Sequence, residues 1–215
     1  MQDQTERDRL EPDGRPWFPD PVYPANATLW ERKLRGGRTL VLPRDAVPRG
    51  RVVLKRLSLE PADVIDAVID FDARLAIGKP ISPLDRYYIY RPSSDGGNEV
   101  AVRWRGSIGI YDSDMSLIMR WCKQECWLQY WLDPGAAGKL RRCEGRYRAY
   151  PHADGGSVVE FYQRVEMPTI EPGSFREAIA TSISSRRELQ YLRAWGSLTR
   201  KYGRWPQPPA PAQRA

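Results

Sequence analysis

Histidine is nearly absent from this chain: His152 is the only one in 215 residues. It stands beside Pro151 and the turn Asp154-Gly155-Gly156, so it is expected at an exposed hairpin, and no triad with a histidine base deep in a pocket is available. Cysteine is scarce as well, with three residues, an odd number, and no C-x-x-C pair. Cys122 and Cys126 therefore read as reduced thiols rather than metal ligands, and neither a metal nor a cofactor is expected. No run of 18 apolar residues occurs, which excludes a spanning helix of ordinary length. Residues 1–16 are charged and lack an apolar h-region, so no secretory signal is expected and the location reads as cytoplasmic, with a place at the periphery of a membrane as the alternative. No repeat with a period of 20–50 residues is present, and no recognised nucleic-acid motif.

What is present suits one domain plus tails, since about 150 residues make a typical domain. The formal net charge is +7, carried mainly by arginine. Two basic runs stand out, Glu31 to Arg38 and Arg193 to Arg204. They raise nucleic acid or an anionic membrane surface as partners. Arginines are otherwise scattered among acids, so a solvated or partner-facing surface is the preferred reading, without a specific nucleic acid. Residues 1–50 read as an extended, proline-rich and basic N-terminal arm, because RPWFPDPVYP cannot enter a helix or sheet interior. Trp17, Phe18 and Tyr23 in that arm are expected either to cover an apolar patch of their own domain or to dock on a partner protein. Residues 203–215 (GRWPQPPAPAQRA) read as a disordered tail.

Between these ends, residues 51–202 carry a regular pattern. Leu40 to Leu42 suggests a short edge strand, and RVVLKRLSL (51–59) a strand proper. Pro61 opens a helix whose buried stripe is Val64, Val68, Phe71 and Leu75, widened by Ile65 and Ile69. Strands follow over 86–91, 99–106, 116–122 and 125–132, with Tyr111-Asp112-Ser113-Asp114 read as a break. Asp112 and Asp114 could form a carboxylate pair for acid/base work, but Asp-Ser-Asp suits a turn better. KLRRCEGRYRAY (139–150) and SVVEFYQRVEM (157–167) form a hairpin across Asp154-Gly155-Gly156. In its second strand Val159, Phe161, Gln163, Val165 and Met167 share one face, which predicts a half-buried strand. Ser174 and Glu177 form a capping box. The helix they open has a stripe of Ala178, Ser182, Ser185, Leu189 and Leu192, with Phe175, Ile179 and Ile183 adjoining it. Trp121, Trp127, Trp131 and Tyr130 read either as core filling or as an aromatic wall. Arg103, Arg105, Arg120, Arg146 and Arg148 are expected to pair with Glu99, Glu125, Glu144 or Glu160 across strands.

This order, from RVVLKRLSL through EPADVIDAVIDFDARL and the CEGRYRAY…DGGSVVEFYQRVEM pair to the capped last helix, resembles the START-like (SRPBCC) helix-grip superfamily. The resemblance implies an α+β fold in which a curved antiparallel sheet of about seven strands wraps a long C-terminal helix. It also implies a hollow between them that takes a hydrophobic small molecule such as a lipid, quinone or polyketide. A sheet covered by one straight helix leaves such a hollow on physical grounds too. The expected wall is Val102, Trp104, Leu128, Tyr130, Tyr147 and Phe161 from the sheet. Ile179, Ser182, Ile183 and Ser185 are expected from the helix. The expected role is non-catalytic binding or carriage, with no catalytic residue assigned. The alternatives are a docking subunit of a protein complex and a cyclase- or aromatase-like enzyme.

Overall fold

The structure is a computed structural model that describes residues 18, 20–21, 27–43, 50–78, 81–82, 84–93, 97–108, 111–136, 140–167, 169–170 and 174–203. The expectations for Trp17, Tyr23 and the tail beyond 203 lie outside the described residues. Strands β1 (Leu40–Val41), β2 (Arg51–Leu57), β3 (Leu84–Arg91), β4 (Glu99–Ile108), β5 (Tyr111–Cys122), β6 (Trp127–Leu132), β7 (Arg142–Pro151) and β8 (Ser157–Glu166) form one curved, open antiparallel sheet. Their order is β1-β2-β8-β7-β6-β5-β4-β3. Helices α2 (Pro61–Ile69), α3 (Phe71–Ile77) and the long α4 (Phe175–Tyr202) cover the concave face, while α1 (Ala27–Arg35) packs beside β1 and β2.

The local chemistry read from the sequence is visible in the elements. Gly155 and Gly156 take φ of 83° and 72° in the β7–β8 turn, a region closed to most other residues. The amide of Glu177 donates to Ser174 Oγ at 3.3 Å and caps α4. On the concave side one apolar core joins α2, α3 and α4 to the inward residues of β2 and β4–β8.

Several expectations are corrected. The helix opened by Pro61 is two helices, broken at Asp70 (φ −81°, ψ 79°). Asp70 Oδ1 accepts from the Ala73 amide at 2.9 Å and Oδ2 from Trp195 Nε1 at 2.9 Å, while Tyr191 Oη donates to Asp70 O at 3.1 Å. The break turns Arg74 inward and leaves Leu75 37 % exposed. Asp112-Ser113-Asp114 is part of β5, held there because Arg103 Nε and Nη2 donate to both Asp114 oxygens at 3.0 and 3.1 Å. Strand β6 begins at Trp127, after a turn that puts Cys126 at φ 53°. Phe175 and Ile179 do not enter the helix–sheet interface, being 79 % and 36 % exposed. The buried face of α4 is instead Ala180, Thr181, Ser185, Glu188, Leu189, Tyr191, Leu192 and Trp195. The side chain of His152 is nearly covered at the hairpin, its Nδ1 accepting from the Asp154 amide at 3.1 Å.

Strand β8 is covered on both faces rather than one: Glu160 is fully buried and Tyr162 2 % exposed. The cover on the convex face comes from the N-terminal segment. Phe18, Leu34, Leu40 and Leu42 form a second apolar cluster with Val52, Leu54 and Tyr162. The Phe18 ring meets Tyr162 edge-on at 5.9 Å. Part of the segment expected to be extended is thus helical, and its Leu34 is buried through the α1 spacing that the surrounding charges obscure.

Candidate functional site

Side-chain parity on the central strands sets which groups face the hollow. One cross-sheet row runs Leu128–Tyr147–Phe161–Val53, and the next runs Tyr130–Gly145–Gln163. Tyr147 stacks on Phe161 with centroids 4.5 Å apart. Tyr130 lies across Gly145, where an added Cβ would come within 2.3 Å of the ring, so only glycine lets Tyr130 Oη accept from Gln163 Nε2 at 3.3 Å. These residues, with Trp104, Met115, Leu117, Met119 and Cys143 on the sheet and Val68, Arg74, Ser184 and Glu188 on the helices, surround a cavity of about 60 Å³.

The helix side of the cavity is polar. Arg74 donates through Nη1 and Nη2 to both oxygens of Glu188 at 2.9 and 2.6 Å, and through Nε to Val68 O at 3.2 Å. Its guanidinium lies 4.0 Å from the Tyr191 ring centroid and 5.5 Å from that of Trp104. Burial opposes the charge on Arg74, but the facing Glu188 carboxylate outweighs it and holds the guanidinium protonated. Burial pushes the phenols of Tyr130 and Tyr147 well above their ordinary range; Cys143 adds to this at Tyr130, and the Glu188 carboxylate at both. Burial likewise lifts the Cys143 thiol to about 12. Two buried polar atoms on wall residues, Trp104 Nε1 and Gln163 Oε1, have no hydrogen-bond partner in the structure. Among the described residues no group of three or more His, Cys, Asp or Glu is arranged to hold a metal.

Of the expected wall residues, Trp104, Tyr130, Tyr147 and Phe161 border the cavity. Val102 and Leu128 are fully buried in the same core but do not border the cavity. On α4 the cavity is met by Ser184 and Glu188, not by Ile179, Ser182, Ile183 or Ser185. The reason is helical phase: Ser185 is buried against the core with Oγ donating to Thr181 O at 2.8 Å, Ser182 and Ile183 are half-buried, and Ile179 turns to solvent. Arg74 and Glu188 were not expected. Glu188 does sit on the predicted stripe, three residues after Ser185 and four before Leu192, so an acid at a buried phase was the available signal.

No protein-family model matches the chain, and no curated protein matches it. Solved structures do. The Zhui aromatase/cyclase from Streptomyces sp. R1128 superimposes with a TM-score of 0.55 at 7 % identity, over 78 % of this chain and 99 % of that one. A START superfamily protein from Mycobacterium smegmatis gives 0.53 at 14 % identity, over 74 % and 96 %. The protein TTHA0849 from Thermus thermophilus gives 0.54 at 14 % identity, over 66 % and 93 %. The chain has the START-like helix-grip fold. In this helix-grip domain the buried Arg74–Glu188 pair ties α3 to α4 beside the cavity. No described helix is long and apolar enough to cross a membrane.

Proposed function

We propose that the helix-grip cavity binds a hydrophobic small molecule that carries a hydrogen-bonding group. The observation that carries this reading is the pair of orphaned polar atoms, Trp104 Nε1 and Gln163 Oε1, on the wall of an otherwise apolar and aromatic cavity. A buried donor and a buried acceptor without partners are costly unless a ligand or water supplies them. At about 60 Å³ the cavity holds a few water molecules, whereas pockets for drug-sized ligands run to about 300–1,000 Å³. Met115 and Met119 on the wall are the side chains best able to yield to a larger guest, being unbranched and flexible.

Binding rather than catalysis is supported by the protonation states. Arg74 and Glu188 are locked to each other, and the phenols and the Cys143 thiol are held neutral at pH 7. Neither the phenols nor the thiol is poised to exchange a proton near neutrality. The small size of the cavity favours a second reading, a docking subunit that keeps the fold with little hollow.

The test is native mass spectrometry of the full chain, followed by titration with a neutral apolar fluorophore such as N-phenyl-1-naphthylamine. Ser184→Leu should occupy the cavity and weaken probe binding at least tenfold while the melting temperature changes little. A wild-type protein that carries no ligand and binds no probe would decide for the docking subunit.

A further inference from the structure

A second, larger cleft of about 270 Å³ lies outside the grip, between β2, the α1–β1 turn and the C-terminal half of α4. Four cations border it: Lys55 and Arg56 from β2, and Arg193 and Arg200 from α4. No carboxylate is among its lining residues. Arg56 has a partner outside the cleft, Asp154, at 3.7 Å, and Asp154 is shared with Arg35. Arg200 Nε donates only to Gly196 O, at 3.0 Å, and Lys55 Nζ to Gly37 O. Among the described residues no acid lies within ion-pair distance of Lys55, Arg193 or Arg200.

Cations near the end of a helix answer its dipole, and that would account for Arg200. It does not account for Lys55, which comes from a strand and is only 9 % exposed. Burial and the nearby Arg193 both work against its charge and lower its pKa. Lys55 is largely covered and is repelled by the exposed Arg193, so an anion bound between them would relieve both costs. Of the two basic runs in the sequence the second brings cations here, Arg193 and Arg200, while the first contributes the backbone of Gly37. A concave cleft with this lining fits a compact multivalent anion better than it fits a flat surface. Arginine forks with a lysine point charge are the usual donor set for phosphate oxygens, and the exposed Ser58 at the rim can add a hydroxyl.

We infer that this cleft is an anion site for a phosphorylated small molecule, with Lys55, Arg193 and Arg200 as its phosphate ligands. It is separate from the grip cavity and does not depend on what that cavity binds.

Isothermal titration of the full chain with inorganic pyrophosphate, in a phosphate-free buffer, tests it. Saturable binding with one site per chain is expected. Arg193→Ala should weaken it at least tenfold without lowering the melting temperature, because Arg193 is exposed, opposes the charge on Lys55 and makes no ion pair among the described residues. Arg176→Ala, at the far end of α4, should leave it unchanged. The proposal is overturned if wild type shows no saturable binding, or if both variants lose affinity equally. It is also overturned if phosphatidylcholine vesicles with phosphatidic acid, or a single-stranded oligonucleotide, bind through Arg193 while pyrophosphate neither binds nor competes.

Discussion

Each face of the sheet buries an arginine–glutamate pair, and the two pairs are held by different means. On the concave side Arg74 grips Glu188 through two nitrogens and is sandwiched against Tyr191. Both partners belong to helices, and among the described residues neither makes an ion pair with any other group. On the convex side Arg146 Nη2 donates to Glu160 at 3.1 Å within the β7–β8 ladder. There Nη1 also reaches Phe18 O at 3.4 Å, and Asp20 stands 3.4 Å away with Arg148 at 2.7 Å from the same carboxylate. The inner pair adds to the Asp70 hydrogen bonds and the apolar contacts that join α3 to α4. The outer pair reinforces strands already hydrogen-bonded and adds a clamp for the N-terminal segment. A buried pair is poor evidence of net stability by itself, but losing one partner strands a charge, and the penalty depends on what else can answer it.

The sharpest break of this comparison is removal of each acid. Glu188→Ala leaves Arg74 buried without another carboxylate and should cost about 3–5 kcal/mol. Glu160→Ala leaves Arg146 with Asp20 and the Phe18 carbonyl and should cost about 1–3 kcal/mol. Urea unfolding with unchanged m-values measures both. Equal costs would mean that the exposed Asp20 does not compensate, and that the two faces are closed in the same way.

The convex cover itself is the next step. Phe18→Ala removes the ring that seals Tyr162 and should cost about 2 kcal/mol, the burial value of one such side chain. Probe binding in the grip should stay as in wild type, because Phe18 lies on the opposite face from Tyr130 and Phe161. Loss of probe binding together with stability would show that the two faces are coupled.

These two faces were not equally legible in the sequence. Which face of the sheet is inner stayed open, but alternation grouped side chains by face and the capping box placed α4, so the order of elements could be read directly. The phase of α4 could not: its buried stripe mixes Ala180, Ser185 and Glu188 with Leu192, and a stripe of small and polar residues gives no strong periodic signal. The inward turn of Arg74 was hidden because the chain breaks at Asp70 without proline or glycine, and the break is stabilised by Trp195 and Tyr191 more than 120 residues away. Asp70 as the N-cap of α3 is a local contribution to the break, and the contacts with Trp195 and Tyr191 fix it in place. The convex cover was half legible, since an aromatic arm expected to cover an apolar patch or dock on a partner implied a lid without saying where it would lie.

The smallest expected effect concerns Cys143, which sits on the concave wall and is 2 % exposed. Burial first, and the Glu144 carboxylate second, lift its thiol to about 12. In the unfolded chain a cysteine ionises near about 8.5. Between those values the unfolded state has released a proton that the native state retains, so stability is complete below about pH 8.5 and falls as pH rises. The slope is at most about 1.4 kcal/mol per pH unit. Above about pH 10 the buried tyrosines add a decline of the same sign, so the useful window is roughly pH 8.5–9.5. Cys143→Ala should lose the cysteine's share of that slope and keep the rest. Cys122 and Cys126, half-exposed at the β5–β6 turn, should react with a thiol reagent in the native protein while Cys143 does not. Equal slopes in wild type and variant, together with fast labelling of Cys143, would mean that water reaches the concave wall freely. The grip cavity would then be a solvent channel, and the contrast between a sealed inner face and a clamped outer one would fail.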